Sequence, residues 1–356
     1  MPQIILPFMD SIGDVQNLQQ WGATIDSIHA PKAKNGVIPF IQLVVRQKGK
    51  IELGFFSCAL CHDRVMPDSS VLEGGQGNFP FDQWWGKTIK TIIRQMPDSA
   101  ARAWQSQEFS YLYSAPWVRH ERQEFMKKPE PQKAISLLLA TVPGVMHRHG
   151  SALGAPTVIP DLFNIKERKY LDRTGLVLNR DIGDLMRYIS LNQDMDYLSS
   201  YSGFKPDPRP DNIILKNYER YSDVQAYALA KFLYSLKSLP DPDKAPKELI
   251  ARGHIVFEQE ECSDCHTPPF YSNNKLTPAS GFIPSKEDKT SFDVDDIDPR
   301  VKTDPDLALY SRRGTGYYKV PSLIGVWNRS ALLHGGYVTS LEEMFNPERL
   351  KDDFMP

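Results

Sequence analysis

The alternation of apolar and polar positions divides the chain into an irregular start, a helical middle and two stretches with matching tails. From residue 1 to about 45 the signals are mixed. Ala30-Pro31-Lys32 breaks the chain, and the apolar run Ile38-Pro39-Phe40-Ile41-Gln42-Leu43-Val44-Val45 suits a short strand. Gly74-Gly75-Gln76-Gly77-Asn78 reads as a flexible turn, since no Lys-Ser/Thr or dinucleotide pattern follows to make it a phosphate cradle. Between 81 and 128, Trp84, Trp85, Trp104 and Trp117 fall among charged residues at spacings that predict amphipathic helices with the indoles mostly in the core. Ser222 followed by the periodic run Asp223 to Leu236 predicts an N-capped helix. The prolines from Leu239 to Pro246 then make a linker. Lys247 to Glu260 predicts another helix, with Gly253 as its point of close packing on a neighbour.

A longer regularity overlies this pattern. Val158-Ile159-Pro160-Asp161-Leu162-Phe163-Asn164-Ile165 matches Lys319-Val320-Pro321-Ser322-Leu323-Ile324-Gly325-Val326 at a constant separation of 161 residues. Arg168 then pairs with Arg329 and Gly175 with Gly336; after a two-residue slip, Ile182 to Met186 parallels Leu341 to Phe345. Such self-similarity predicts duplication of one unit. The first copy runs 62 residues from Pro160 to its closing helix at Ser222, whereas 35 residues follow Pro321, so the expectation is a natural chain that continues past Pro356.

The two halves also share a chemical signature. Cys58-Ala59-Leu60-Cys61-His62 and Cys262-Ser263-Asp264-Cys265-His266 repeat one grammar, and they contain all four cysteines of the chain. Two thiols separated by two residues can each add to a vinyl group of one porphyrin, which leaves the adjacent histidine as an axial iron ligand. The expected cofactors are therefore two covalent c-type haems held by Cys58, Cys61, Cys262 and Cys265, with His62 and His266 on the irons. A zinc site would require the two cysteine pairs to meet and would leave both histidines as coincidence. A redox dithiol ignores the histidines as well.

Composition narrows the function classes. The chain has 356 residues and a formal net charge of −2 with scattered basic residues, so nothing points to nucleic acid. No apolar run approaches the roughly twenty residues of a membrane span, and Ile4-Ile5-Leu6 is too short for a signal-peptide core. Covalent haem attachment normally takes place outside the cytoplasm, so the expected location is the periplasm or another compartment outside the cytoplasm, with a leader removed or omitted ahead of residue 1. The 28 prolines fit long irregular connections around cofactors. Among those connections, His147 and His149 could supply a sixth ligand to the first iron, contact its propionates or stand in solvent. The carboxylates of Asp293-Val294-Asp295-Asp296-Ile297-Asp298 could hold calcium, but they lack the EF-hand glycine and terminal glutamate, which favours a solvated loop. Arg312 and Arg313 could pair with haem propionates or be surface charge.

Together with this plan, Lys319-Val320-Pro321-Ser322-Leu323 and Leu333-His334-Gly335-Gly336-Tyr337-Val338-Thr339-Ser340-Leu341-Glu342-Glu343 resemble the bacterial dihaem cytochrome c peroxidase family, which includes the methylamine dehydrogenase maturation enzyme. The resemblance implies a mainly α-helical fold of two cytochrome c-like haem domains related by duplication and joined by long loops. Residues 1–45 would be an extension, 46–239 the first haem domain, 240–246 the linker, and 247–356 a second domain lacking its closing helix. It implies a first haem that reduces peroxide or a related small oxidant, and a second that receives electrons from a small donor such as a monohaem cytochrome or cupredoxin. The family's tryptophan–aspartate–glycine segment is matched here by Tyr170-Leu171-Asp172, its glutamine falls near Leu185 and its glutamate near Asp194 or Met195. Asn192-Gln193-Asp194 is the nearest supply of a distal base, which makes Gln193 and Asp194 the candidate catalytic residues. The family's methionine ligand falls near Glu348; Met344 is the candidate on this chain, one helical turn early, and a ligand beyond Pro356 is the alternative. Two other readings remain open: an electron-transfer cytochrome without a substrate, and an oxygenase with an apolar pocket around Leu171 and Leu185.

Overall fold

A computed structural model describes backbone strands at 32–33, 36–37, 43–47 and 50–53, and residues 58–351 apart from 69, 148–150, 152, 193–195, 197–198, 207–221, 296–300 and 302. Among these residues the chain is mainly helical, and its short strands pair only as two-stranded antiparallel ladders. The end of the expected apolar strand is present, because Leu43–Gln47 pairs with Lys50–Leu53, while 38–42 lie outside the described residues. No described helix is long and apolar enough to cross a membrane.

The first Cys-x-x-Cys-His motif forms α1 (Cys58–His62), followed by a hairpin of Asp63–Val65 and Val71–Glu73. Four helices come next: α2 (Phe81–Ile93), α3 (Asp98–Tyr113), α4 (His120–Lys127) and α5 (Pro131–Leu139). Their apolar positions recur at helical spacing, and Ile89, Ile93, Ala101, Ile135 and Leu138 lock α2, α3 and α5 into one core. Trp84 is buried, while Trp85 and Trp104 on α2 and α3, and Trp117 in the turn between α3 and α4, are only partly buried against the cores, so one indole of the four rather than most lies fully in the core. Beyond them lie α6 (Ile182–Leu191) and α7 (Asp223–Ser235), which share a core with Ile165 and Leu171. The expected cap on α7 is a reciprocal one: Ser222 Oγ accepts from Gln225 N, and Gln225 reaches back to Ser222 N.

The second motif sits in α9 (Cys262–Cys265), preceded by α8 (Lys247–Gln259) and followed by α10 (Lys286–Ser291), α11 (Asp306–Leu309) and α12 (Leu341–Met344). Positions 161 residues apart take the same conformations. Asn164 and Gly325, both in the left-handed region, each open a short 3-10 turn, at Ile165–Glu167 and Val326–Asn328. Leu171 pairs with Val177, and Leu332 with Val338. Asp181 then caps α6 and Ser340 caps α12. The halves differ in length here, ten residues in α6 against four in α12.

Two expectations about glycine are corrected. The Gly74–Asn78 stretch is a buried seam rather than a flexible turn. Gln76 is 1% exposed; its Nε2 donates to Ala331 O at 2.9 Å, and its Oε1 accepts from the backbone of Ser330 and Ala331. A Cβ on Gly77 would stand 2.1 Å from Cys61 O, so only glycine lets this seam close on α1. Gly253, by contrast, packs on nothing: a Cβ there meets no described atom within 4 Å. The whole of α8 buries no residue, and Leu249, Ile250, Ile255 and Val256 are each more than half exposed.

The stretches before and after the linker interlock. Besides Gln76, Thr174 Oγ1 donates to Arg313 O at 2.6 Å, and Asp306 receives Arg119 and Arg122 at 2.7 and 2.8 Å.

Candidate functional site

Each motif histidine is held through the same ring nitrogen. His62 Nδ1 lies 2.9 Å from Pro160 O, and His266 Nδ1 lies 3.0 Å from Tyr271 O. A carbonyl oxygen can only accept, so Nδ1 carries the proton and the lone pair sits on Nε2. That is the arrangement by which proteins orient a metal-ligating imidazole. Burial lowers the His266 pKa below its ordinary value, with the Tyr271 and Pro321 carbonyls working against it. None of the four cysteines is in a disulfide. Among the described residues no three His, Cys, Asp or Glu side chains gather as a metal-holding group.

The segments Pro160-Asp161 and Pro321-Ser322 are braced in parallel. Arg168 donates to the carbonyls of Asp161 and Phe163 at 2.9 and 2.7 Å. Arg329 donates to those of Ser322 and Ile324 at 2.8 and 3.0 Å, the same two positions of its own half. The sequence pairs these arginines but does not reveal what they bond. Nor does it reveal that Asp161, whose counterpart is Ser322, serves both: its carboxylate meets Arg168 at 2.5 Å and Arg329 at 2.9 Å. Burial raises the Asp161 pKa, but Arg329 and Arg168 overcome it and hold the carboxyl at about 2.

Arg312 and Arg313 are neither surface charges nor open to a propionate. They are 1% and 4% exposed, and both guanidinium groups pair with the fully buried Asp196, which Tyr201 also contacts. Arg313 further reaches Asp172 at 3.3 Å and Asn192 Oδ1 at 2.9 Å. Burying two cations is tolerable here because carboxylates are buried with them.

His147 is likewise no solvated loop residue. Asp82 Oδ2 lies 2.8 Å from both its backbone N and its Nδ1, and Nε2 is buried without a hydrogen-bond partner. His149 lies outside the described residues, as do the candidate catalytic Gln193 and Asp194. Leu171 and Leu185 are both buried in one apolar cluster, and Met344 ends α12 partly buried. In the acidic loop, Asp293 pairs with Lys169, and Asp295 accepts from Asn273 at 2.7 Å and pairs with Lys275 at 3.4 Å; 296–300 lie outside the described residues. His334, from the segment that carries the family resemblance, is stacked on Tyr318 at 4.4 Å, and burial pushes its pKa down to about 3.

No family model matches this chain, and no curated protein does. Among solved structures, hydrazine synthase of Kuenenia stuttgartiensis, determined under xenon pressure, is similar over 74% of this chain and 83% of that one, at 12% identity and a TM-score of 0.36. A likeness that slight carries neither fold nor chemistry from one chain to the other.

Proposed function

We propose that this chain is a dihaem c-type cytochrome with peroxidase-like chemistry, in which a second haem takes electrons from a small donor protein and the first reduces peroxide or a related oxidant. One observation carries the reading: both Cys-x-x-Cys-His motifs present a histidine whose Nδ1 faces a backbone carbonyl, Pro160 O for His62 and Tyr271 O for His266. Under this reading Cys58 and Cys61 anchor one porphyrin, Cys262 and Cys265 the other, and His62 and His266 offer Nε2 to the irons. A bound haem supplies one-electron redox chemistry and a site where an oxidant can bind iron. The parallel 3-10 turns, arginine braces and capped helices support duplication of one haem unit. The exposed apolar residues of α8 fit a helix whose covering group is a large apolar one beside the second motif. Attachment of such haems places the working protein outside the cytoplasm.

Gln193 and Asp194 are the proposed source of a distal base. The rival function is an electron carrier with no substrate. The complete burial of Leu171 and Leu185 in one apolar cluster favours it, because no polar group stands at either position to move a proton. Peroxide consumption by the haem-loaded chain, driven by a reduced monohaem cytochrome or cupredoxin, separates the two. Turnover that falls at least tenfold in Gln193→Leu or Asp194→Asn supports the peroxidase. Haems that exchange electrons with the donor yet leave peroxide untouched support the carrier.

A further inference from the structure

The proline segments of the two halves, Pro160-Asp161 and Pro321-Ser322, line one cavity of about 40 Å³. Four cationic side chains surround it: Arg168, Arg173, Lys319 and Arg329. Three carboxylates answer them: Asp161 is shared between Arg168 and Arg329, Asp172 attracts Arg173 and Lys319, and Glu167 pairs with Lys237 at 3.1 Å while its Oε2 stays buried without a hydrogen-bond partner. The hydrogen bonds of Arg173 and Lys319 go to backbone carbonyls: Val158 O at 3.4 Å for the guanidinium and Tyr170 O at 3.3 Å for the ammonium. The Nε atoms of Arg168 and Arg329 are buried donors without a partner.

Such an excess of enclosed positive charge is costly unless an anion accompanies it. The same crowding acts on Lys319. Burial, followed by repulsion from Arg168 and Arg173, drives its pKa down to about 7, and burial together with Arg329 lowers that of Arg173 to about 10. A water occupies roughly 10–15 Å³ on this measure, so the cavity has room for about three waters or one small anionic group.

We propose that this cavity is an anion site, in which Lys319 and Arg173 hold a carboxylate or tetrahedral oxyanion between the two halves of the chain. Arg168 and Arg329 supply further N–H donors on either side. The anion can come from a porphyrin propionate, a source that rests on the dihaem reading, or from free inorganic phosphate, which does not. In both cases the ligand completes the seam that joins the two proline segments.

The test uses the full chain, assayed first for haem by its pyridine haemochrome. Thermal unfolding is followed while inorganic phosphate is raised at constant ionic strength, for the native chain, Lys319→Met, Arg173→Gln and the charge-keeping Lys319→Arg. Lys319→Gln replaces Lys319→Met if the latter does not fold. A free-anion site gives a saturable rise in Tm in the native chain and Lys319→Arg, with apparent affinity at least tenfold weaker in the charge-removing variants. A propionate source gives no phosphate response; instead the charge-removing variants lower the reduction potential of a haem and Lys319→Arg does not. Absence of both responses overturns the site. So does a Lys319→Met chain that melts above the native one, because that is the relief of repulsion expected of an anion-free cavity. A chain purified without haem defeats the dihaem reading, and the phosphate titration then decides the anion site alone.

Discussion

His62 presents its Nδ1 to the carbonyl oxygen of Pro160, 98 residues further along the chain, at 2.9 Å. Everything proposed about chemistry depends on this bond and its counterpart at His266. By holding the proton on Nδ1 it directs the lone pair of each imidazole outward through Nε2. Replacing His62 or His266 by alanine is expected to leave the thioether links intact, so each variant keeps its colour. It should lose the strong-field spectrum of one haem and spare the other. Electron paramagnetic resonance checks this, and wild-type spectra from either variant would contradict the ligand assignment.

Asp161 ties the proline segments together, and its carboxyl is held at about 2 against 3.8 in the unfolded chain. A depressed acid stabilises the fold above its unfolded pKa, and that contribution is lost as pH falls from about 4 through about 2. The difference corresponds to roughly 2 kcal/mol. Asp161→Asn is expected to flatten the pH dependence of stability in that window and to lower stability at neutral pH by about 2 kcal/mol, since it leaves two partly buried arginines without their carboxylate. Urea unfolding between pH 2 and 7 measures both.

Asp196 is fully buried between Arg312 and Arg313 and joins residues on opposite sides of the linker. Asp196→Ala should cost about 3–5 kcal/mol, the usual penalty for removing one side of a buried ion pair. The native chain is expected to unfold in one cooperative transition, because the Asp196, Gln76 and Asp306 contacts all cross between the halves. Two separate calorimetric transitions in the native chain would contradict that interlock.

Two glycines should behave in opposite ways. Gly77→Ala forces a Cβ against Cys61 O and is expected to destabilise the chain strongly and to impair haem attachment at α1 alone. Gly253→Ala falls in open space on a helix and should stabilise it by about 0.5–1 kcal/mol. Loss of stability on Gly253→Ala would instead reveal a closely packed partner on α8.

Local signals in the sequence were strong where the physics is local. The cap at Ser222, the helix from Lys247 and the helices carrying Trp84, Trp85 and Trp104 follow from spacing and side-chain type, and the structure has them, while Trp117 lies in a turn. The separation of 161 residues was legible as a pattern, but the roles of Arg168, Arg329 and Asp161 depend on which atoms the fold brings together. Arg312 and Arg313 show the same gap. A pair of adjacent arginines looks like surface charge until a carboxylate more than one hundred residues away is buried beside it. Gly74 to Asn78 misled because glycines that permit a turn and glycines that permit close approach are spelled alike.

The most direct test of the dihaem reading is the haem content of the full chain, matured in a host that attaches c-type haem. The pyridine haemochrome spectrum and the intact mass are read together, for the native chain and for Cys58→Ala/Cys61→Ala and Cys262→Ala/Cys265→Ala. Two haems that resist acid-acetone extraction, with one lost in each double variant, are the predicted result. A colourless chain, or one in which the cysteine variants leave the bound haem unchanged, would contradict it.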